Sequence, residues 1–183
     1  IYQGEDDLQF INDTSTGAEL VSPSAIQKAS GDTQGTALSL PLATDLETGT
    51  YETENGAYSV NVQVARITTG EVQLPNGNDI SEVPSDRSDN LNIVAEWNFG
   101  EAENVEVTVE DPSGTDITNQ VLDNDAILEN GDDSVGLDLQ SEDAGDYTVI
   151  FEGTDDLDYG GVVEEYTITT TNQDTVEIEL DSD

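Results

Sequence analysis

Apolar residues recur at every second position over several short stretches of this chain, which is the pattern of strands with one buried and one exposed face. In the clearest stretch, the odd-numbered residues from Leu91 to Phe99 are apolar, whereas Asn92, Glu96 and Asn98 are polar. Turn-forming segments rich in Gly, Pro, Asn and Asp separate the stretches. The others are centred on Val105, Val107 and Val109, on Val135, Leu137 and Leu139, on Tyr147, Val149 and Phe151, on Tyr166 and Ile168, and on Val176, Ile178 and Leu180. So many short strands predict an antiparallel β-sandwich.

The N-terminal half has similar but less regular stretches. Leu8 and Phe10 predict an early strand, and the leucines at 38, 40 and 42 predict another. The stretch from Tyr58 to Val64 predicts a third strand, which continues through Arg66 toward Thr69. Residues 75–90 are rich in Pro, Gly, Ser, Asp and Asn, which is typical of a linker. We therefore predict two domains, residues 1–84 and residues 85–183.

Two segments of the chain resemble each other and support this tandem organisation. Residues 44–51 read TDLETGTY and residues 140–147 read QSEDAGDY, so Gly49 and Tyr51 match Gly145 and Tyr147. Glu47 then lies opposite Asp143, and a leucine alternation precedes each segment. Two similar sandwiches in tandem explain the match, and chance similarity in so acidic a chain is the alternative.

The second of these segments resembles the tyrosine corner of immunoglobulin-like domains. In that motif a tyrosine near the start of a strand sends its hydroxyl back to upstream backbone. Asp143, Gly145 and Tyr147 fit it, with Gly145 allowing the tight path into the strand. Val149 stands where an antibody domain has its second cysteine. The predicted fold is therefore all-β, with tandem immunoglobulin-like antiparallel β-sandwich domains.

The charge of the chain restricts where such a fold is stable. There are 42 Asp and Glu residues against 3 Lys and Arg, a formal net charge of −39. Self-repulsion of this size destabilises a compact state in dilute solution. In molar salt the screening length falls to about 3 Å, so the repulsion is largely removed. The sequence therefore predicts a protein adapted to concentrated brine, with intrinsic disorder as the alternative that the regular strand pattern disfavours.

The same composition excludes several kinds of partner and reaction. Nucleic acid and anionic membranes would repel the chain, and no basic patch is present to hold phosphate. The absence of His and Cys removes the usual nucleophilic triads, and Lys28 is the sole lysine. Carboxylate pairs could hydrolyse glycosides, but such pairs arise throughout so acidic a chain without meaning. We expect no enzymatic activity and no catalytic residues.

Calcium or magnesium ions, rather than an organic cofactor, are the ligands this sequence could hold. These hard cations need several oxygen ligands that converge from a loop. Asp155, Asp156 and Asp158 form one candidate loop, and Asp123 with Asp125 forms a second. Asp132 and Asp133 form a third, and none of the three has EF-hand spacing. Because a solvated halophilic surface explains each cluster better than a dedicated site does, we expect diffuse cation binding before a single defined site.

The opening residues carry a resemblance to a known family. Residues 1–7 read IYQGEDD, an aromatic residue followed by Gln, Gly, Glu and acid. This is similar to the start of mature haloarchaeal surface-layer (S-layer) glycoproteins, the cell surface glycoprotein family. The resemblance continues through Val21-Ser22-Pro23, residues 35–51, and more loosely residues 105–111 and 116–118. It implies an extracellular chain of immunoglobulin-like domains that assembles with itself into a two-dimensional lattice. It also implies glycosylation, dependence on divalent cations and a C-terminal membrane anchor that this fragment lacks.

Within that context Asn12 is the predicted glycosylation site, because Asn12-Asp13-Thr14 forms an N-x-S/T sequon. We expect a structural S-layer module that assembles through cation-bridged contacts between acidic faces. An adhesive or ligand-binding module of another secreted haloarchaeal protein is the first alternative. A carbohydrate-active accessory domain or hydrolase is the second. Monovalent and divalent cations and further copies of the chain are the expected partners.

Overall fold

The computed structural model of the chain describes residues 1–14, 17–100, 102–123 and 125–172. The regular secondary structure of this part is mainly β-strand, with short 3₁₀ turns and the one-turn helix α1 (Thr118–Val121). The all-β prediction is therefore confirmed, while the immunoglobulin-like arrangement stays a prediction. The final strand predicted around Val176, Ile178 and Leu180 lies outside the described residues. No helix in the described part is long and apolar enough to cross a membrane.

The strands are short, and they follow one another along the chain in this order: β1 (Ile11–Thr14), β2 (Gly17–Leu20), β3 (Ile26–Lys28), β4 (Gly49–Thr53), β5 (Ser59–Val62), β6 (Ile67–Gln73), β7 (Glu82–Pro84), β8 (Leu91–Trp97), β9 (Val105–Glu110), β10 (Ile127–Leu128), β11 (Val135–Leu137), β12 (Gly145–Gly153) and β13 (Val163–Thr171).

The chain folds into two compact units, and each unit contains three segments of the sequence. The first unit contains Ile1–Ile67, Trp97–Asn104 and Glu152–Val163. The second contains Thr68–Glu96, Val105–Phe151 and the described part of Glu164–Asp183. The linear division into residues 1–84 and 85–183 stays a prediction.

Two sheets form the core of the second unit. One sheet has the strand order β10-β9-β12-β13-β7, and the other has the order β11-β8-β6. Gly70 in β6 faces the ring of Phe151 in β12 so closely that a Cβ there would lie 2.6 Å from the ring carbons. The two sheets therefore pack face to face at this point, and Gly70 leaves room for the aromatic ring.

The alternation seen in the sequence corresponds to the inward face of these strands. Val105, Val107 and Val109 are buried in β9, whereas Glu106 is exposed. In β8 the residues Leu91, Ile93 and Ala95 are buried in the same way, and β8 pairs antiparallel with β11. The edge strand β7 differs, because it pairs parallel with β13. Burial on one face only is the physical reason that the period of two predicted these strands correctly.

The first unit has a smaller sheet of order β3-β4-β5 and a separate hairpin formed by β1 and β2. Lys28 in β3 pairs with Tyr51 in β4, which in turn pairs with Val60 in β5. One apolar cluster fills the space against this sheet. Its fully buried members are Phe10, Ile26, Leu38, Leu42, Tyr51 and Val62.

The strand predicted at the leucines of residues 38–42 is wrong. Leu38 and Leu42 are buried in the cluster as expected, but no strand extends over this stretch. Pro41 has no N–H to donate to a strand ladder. The Leu42 N–H instead donates to the Glu5 carbonyl at 2.8 Å. The early strand predicted at Leu8 and Phe10 likewise begins only at Ile11, in β1.

The long strand predicted from Tyr58 toward Thr69 is divided into β5 and β6 by a side chain. Asn98 donates its Nδ2 to the Val64 carbonyl at 3.0 Å and accepts the Arg66 N–H on Oδ1 at 2.9 Å. The Asn98 N–H also donates to the Arg66 carbonyl at 3.1 Å. The amide side chain thus supplies the hydrogen bonds that a neighbouring strand would otherwise make, and the ladder is interrupted here.

Both tyrosines of the internal repeat make the same backward hydrogen bond. The Tyr147 hydroxyl donates to the Asp143 carbonyl at 2.5 Å, and the Tyr51 hydroxyl donates to the Glu47 carbonyl at 2.7 Å. Each bond reaches four residues back, and both side chains are at most 1% exposed. Gly145 is required by space, since a Cβ there would lie 2.6 Å from Pro112. The two matching segments therefore share a local structure as well as a sequence pattern.

We expect Tyr147→Phe and Tyr51→Phe each to lower the free energy of unfolding by about 1 kcal/mol, because each removes one buried hydrogen bond and leaves its carbonyl acceptor without that donor. Urea unfolding in molar NaCl measures this. Tyr58→Phe is the matched control, since the Tyr58 ring packs against the same apolar cluster without a corner hydrogen bond. Equal losses for Tyr58→Phe and Tyr51→Phe would contradict the assignment.

Candidate functional site

An open groove in the second unit is lined by five carboxylates, one from β9 and four from the loops that flank β10. Its volume is about 820 Å³, and the acidic residues around it are Glu106, Asp123, Asp125, Glu129 and Asp133. Glu106 stands on the exposed face of β9, next to the short strand β10 that pairs with it. The other four come from the loops on either side of β10. We call this surface the anionic groove.

Local backbone contacts position two of these carboxylates. Asp133 Oδ2 accepts the N–H groups of Glu129 at 2.9 Å and Asn130 at 3.1 Å, so this side chain closes the loop after β10. The Asp123 N–H donates to the Gly136 carbonyl at 3.1 Å. Asp123 Oδ2 would be only 2.7 Å from a Cβ at Gly136, so the glycine allows the carboxylate to lie over β11.

The groove unites two of the loops that the sequence singled out. Asp123 and Asp125 of one predicted loop line it together with Asp133 of another. Glu106 and Glu129 were not predicted, because nothing in their own neighbourhood distinguishes them from other acidic residues. No three carboxylates in the described part of the chain converge closely enough to hold a metal ion. The geometry thus offers a surface of high negative charge, and a defined cation site at Asp123 and Asp125 stays a prediction.

The predicted loop of Asp155, Asp156 and Asp158 lies in the first unit. Asp155 and Asp156 begin a 3₁₀ turn (Asp155–Leu157) whose Leu157 is fully buried. Asp156 Oδ2 accepts the Asp6 N–H at 2.9 Å. Burial, and then the neighbouring Asp156 carboxylate, raise the pKa of Asp6. Asp158 follows the turn and is exposed, so Asp155, Asp156 and Asp158 do not converge.

Glu103 stands near the same turn. Burial raises the pKa of Glu103, and the carboxylates of Asp155 and Asp156 raise it further. Its hydrogen-bond partner is the Thr154 hydroxyl, which donates to Glu103 Oε2 at 3.4 Å. The turn therefore sits in a strongly negative environment that the sequence pattern around Asp155 does not reveal.

A different use of carboxylates occurs at the tip of the loop after β9. Asp111 Oδ1 accepts the Ser113 hydroxyl at 2.6 Å, the Ser113 N–H at 2.8 Å and the Thr115 N–H at 2.9 Å. These hydrogen bonds hold the pKa of Asp111 below its usual range, and the bond from the Ser113 hydroxyl has the largest effect. Asp116 Oδ1 similarly accepts the Thr118 N–H at 2.9 Å. Both side chains stabilise the loop, a role that their spacing to Ser113, Thr115 and Thr118 could have indicated.

Lys28 is buried beside the first of the two tyrosines. Its Nζ donates to the Thr48 carbonyl, lies 3.7 Å from Glu47 Oε1 and is 5.1 Å from the centre of the Tyr51 ring. The side chain is only 4% exposed, whereas that of Glu47 is 37% exposed. Its amine is therefore engaged in structural contacts with the segment around Tyr51.

The predicted glycosylation site lies on the hairpin formed by β1 and β2. Asn12 is half-buried in β1, directly opposite Glu19 in β2, whose side chain is exposed. Apolar side chains on the other face are also open to solvent. Ile11 and its cross-strand partner Leu20 are 47% and 77% exposed. All four residues of β2 are exposed to solvent.

Comparison with known proteins gives relatives over the whole chain. The cell surface glycoprotein of Haloarcula marismortui is 33% identical in an alignment that covers the entire chain. The cell surface glycoproteins of Halobacterium salinarum and Haloarcula japonica are each 31% identical, again over the entire chain. The chain spans only 23–24% of the length of these relatives. No protein-family model matches it.

The Asp111 loop gives a prediction about pH. Because the pKa of Asp111 is lowered in the folded state, its hydrogen bonds stabilise the fold above the unfolded pKa of about 3.9 and are lost as the pH falls through the lower folded value. We expect Asp111→Asn to be less stable than the parent near neutral pH, with the difference shrinking as the pH falls below about 4. Urea unfolding in molar NaCl at a series of pH values measures it.

Asp32→Asn is the matched control for this experiment, because it removes one charge from an exposed loop. The difference in stability between Asp32→Asn and the parent should not shrink toward zero as the pH falls below about 4. A constant difference for Asp111→Asn across the pH series would contradict a stabilising role of the ionised carboxylate.

Proposed function

This chain is homologous over its entire length to a segment of haloarchaeal cell surface glycoproteins, and from this premise we propose that it is a structural module of the extracellular surface layer of a halophilic archaeon. The relatives are named as surface glycoproteins and not as enzymes, which supports a non-catalytic role. The observation that carries the proposal is that the relatives match this chain over all of its residues at 31–33% identity.

The charge of the chain supports a salt-dependent mode of assembly. With a net charge of −39, two copies repel each other in dilute solution. Brine reduces this repulsion to very short range. A divalent cation held between carboxylates of two neighbouring copies then converts the remaining repulsion into attraction. We propose that modules of this kind pack side by side through such bridges.

The anionic groove is the surface best suited to this contact. It collects five carboxylates in one open concavity, and Glu106, Asp123, Asp125 and Glu129 are exposed. Asp133 accepts backbone N–H groups that close its loop. The other four carboxylates do not have this role, so we expect them to bind cations without destabilising the fold. Cations shared between the groove and the acidic loops of a neighbouring copy would join the two.

The assembly is tested with the 183-residue chain in molar NaCl. We expect sedimentation velocity to show larger species when millimolar Ca²⁺ or Mg²⁺ is added and their disappearance with excess chelator. Negative-stain electron microscopy of the same samples should show ordered sheets. Isolated particles under all cation conditions would contradict the proposal and favour an adhesive or ligand-binding module.

The groove is tested separately by the triple variant Glu106→Gln, Asp125→Asn and Glu129→Gln. We expect at least a severalfold smaller assembled fraction at the same cation concentration, because bridging ligands are lost. The charge-matched control is Asp32→Asn, Glu54→Gln and Asp89→Asn, all exposed and outside the groove. An equal effect of both triples would assign the assembly to overall charge and not to the groove.

We also propose that Asn12 carries an N-linked glycan, because it lies in a sequon on an accessible hairpin. Expression in a haloarchaeal host should give a glycan mass on the peptide that contains Asn12. Asn12→Gln should abolish this mass, whereas Asn55→Gln, an exposed asparagine outside any sequon, should retain it. An unmodified Asn12 peptide would contradict the proposal.

A further inference from the structure

The first six residues of the chain are bound to several other segments of the first unit, and we call them the N-terminal clasp. The Gln3 N–H donates to the Gln63 carbonyl at 2.9 Å, and the Gln63 N–H donates to the Ile1 carbonyl at 3.0 Å. These bonds add a parallel bridge beside β5. The Gly4 N–H donates to the Leu42 carbonyl at 3.1 Å. The clasp thus covers the edge of β5 and holds the chain segment around Leu42.

Aromatic contacts fix the other side of the clasp. The Tyr2 ring packs edge-on against Phe99, with ring centres 6.3 Å apart, and its hydroxyl donates to the Asn98 carbonyl. The Tyr159 hydroxyl donates to the Gln3 carbonyl at 3.1 Å. The same tyrosine ring lies over Gly4, where a Cβ would be 2.8 Å from it. Gly4 also has a φ of +98°, so any other residue would be strained at this position.

Closure of the clasp brings negative charges together. Glu5 is 7% exposed, and Asp6 binds through its N–H to Asp156 on the opposing turn. Asp155 on that turn and Glu103 on the loop after β8 carry further negative charge toward the same place. The acidic residues that meet here are Glu5, Asp6, Glu103, Asp155 and Asp156. The backbone and aromatic contacts of the clasp therefore form against electrostatic repulsion.

From this opposition we infer that the N-terminal clasp is a salt-gated closure, docked in brine and released from the first unit as the ionic strength falls, before the sheets unfold. The screening length is about 3 Å in molar salt and about 30 Å at 0.01 M, so repulsion across the clasp grows steeply on dilution. The hydrogen bonds of Gln3 and Gly4 and the Tyr2–Phe99 contact do not change in this way. This closure is internal to one chain and does not depend on the proposed assembly.

Trp97 provides a local reporter of the closure. It is the single tryptophan of the chain, and its ring centre lies 6.2 Å from that of Phe99, the ring that Tyr2 covers. We expect dilution of NaCl, with chelator present throughout, to change the Trp97 emission at a higher salt concentration than that at which the far-ultraviolet circular dichroism of the sheets is lost. Hydrogen exchange of the peptide containing Gln3 and Gly4 should accelerate over the same range as the emission change.

The charge variant Asp6→Asn with Asp156→Asn tests the electrostatic cause. Asparagine keeps a carbonyl oxygen that can accept the residue 6 N–H, but the repulsion across the clasp is reduced. We expect the midpoint of the Trp97 transition to move to a severalfold lower NaCl concentration. The charge-matched control Asp32→Asn with Asp89→Asn, both exposed and outside the clasp, should leave the midpoint close to that of the parent.

Gly4→Ala verifies the reporter. The added methyl group collides with Tyr159, so this variant should show the released emission and fast exchange of residues 1–6 even in molar NaCl. Three results would overturn the inference: simultaneous loss of the clasp and of the sheet signal, equal midpoint shifts for both double variants, or release in molar NaCl on chelation alone. The last result would assign closure to bound divalent cations instead of ionic strength.

Discussion

Repulsion among carboxylates is the constraint that the fold of this chain as a whole has to overcome. The 42 acidic residues face only 3 basic ones, so salt bridges between side chains cannot neutralise the surface. The surface charge is instead screened by ions of the solvent, which shorten the range of the repulsion without occupying fixed positions. What remains to hold the fold is the burial of apolar side chains and backbone hydrogen bonding. Both are independent of charge, which is why a regular all-β fold is compatible with so extreme a composition.

The two tyrosines of the internal repeat illustrate how the same local structure is reached with different neighbours. Lys28 donates to the Thr48 carbonyl beside Tyr51 and places its charge near that ring. In the second unit the buried Thr170 lies beside Tyr147, accepts the Gly145 N–H at 3.2 Å and donates to the Asp143 carbonyl at 3.5 Å. A threonine hydroxyl makes these bonds without burying a charge. The lysine needs Glu47 and the Tyr51 ring to offset the cost of leaving water. The repeat therefore conserves the hydrogen bond of each tyrosine but not the chemistry of the side chain next to it.

The parts of the fold that the sequence predicted are those where one face of a strand is buried. Val105, Val107 and Val109 in β9 illustrate this, because their alternation with Glu106 follows directly from the pleat. The predictions in the first half were less accurate for two physical reasons. Leu38 and Leu42 alternate inward without a strand, since the Pro41 backbone cannot pair. Asn98 interrupts the strand expected after Tyr58 from far along the chain, and no local pattern can reveal such a contact.

The candidate sites show the same limit more strongly. Asp123, Asp125 and Asp133 could be named from their loops, but their meeting in one groove with Glu106 depends on the pairing of β9 with β10. The environment of Glu103 depends on the 3₁₀ turn that starts at Asp155, some fifty residues later. In a chain so rich in acidic residues, the presence of a carboxylate does not by itself indicate a site. A site is indicated only by the position of that carboxylate relative to other segments in the fold.

The carboxylates of this chain therefore divide into groups with different physical roles. Asp111 and Asp133 accept backbone N–H groups and close loops, so their negative charge is part of the fold. Glu106 and Glu129 project from the surface, where their charge is available to solvent ions and to neighbouring molecules. Asp6 belongs to a third group, because its backbone N–H favours docking against Asp156 while its carboxylate opposes it. Screening by brine weakens the repulsion within the second and third groups, whereas the hydrogen bonds of the first group are short-range contacts that screening affects little. A single composition can thus give one chain carboxylates that close loops, carboxylates on an open surface and a carboxylate that opposes the docking of its own segment.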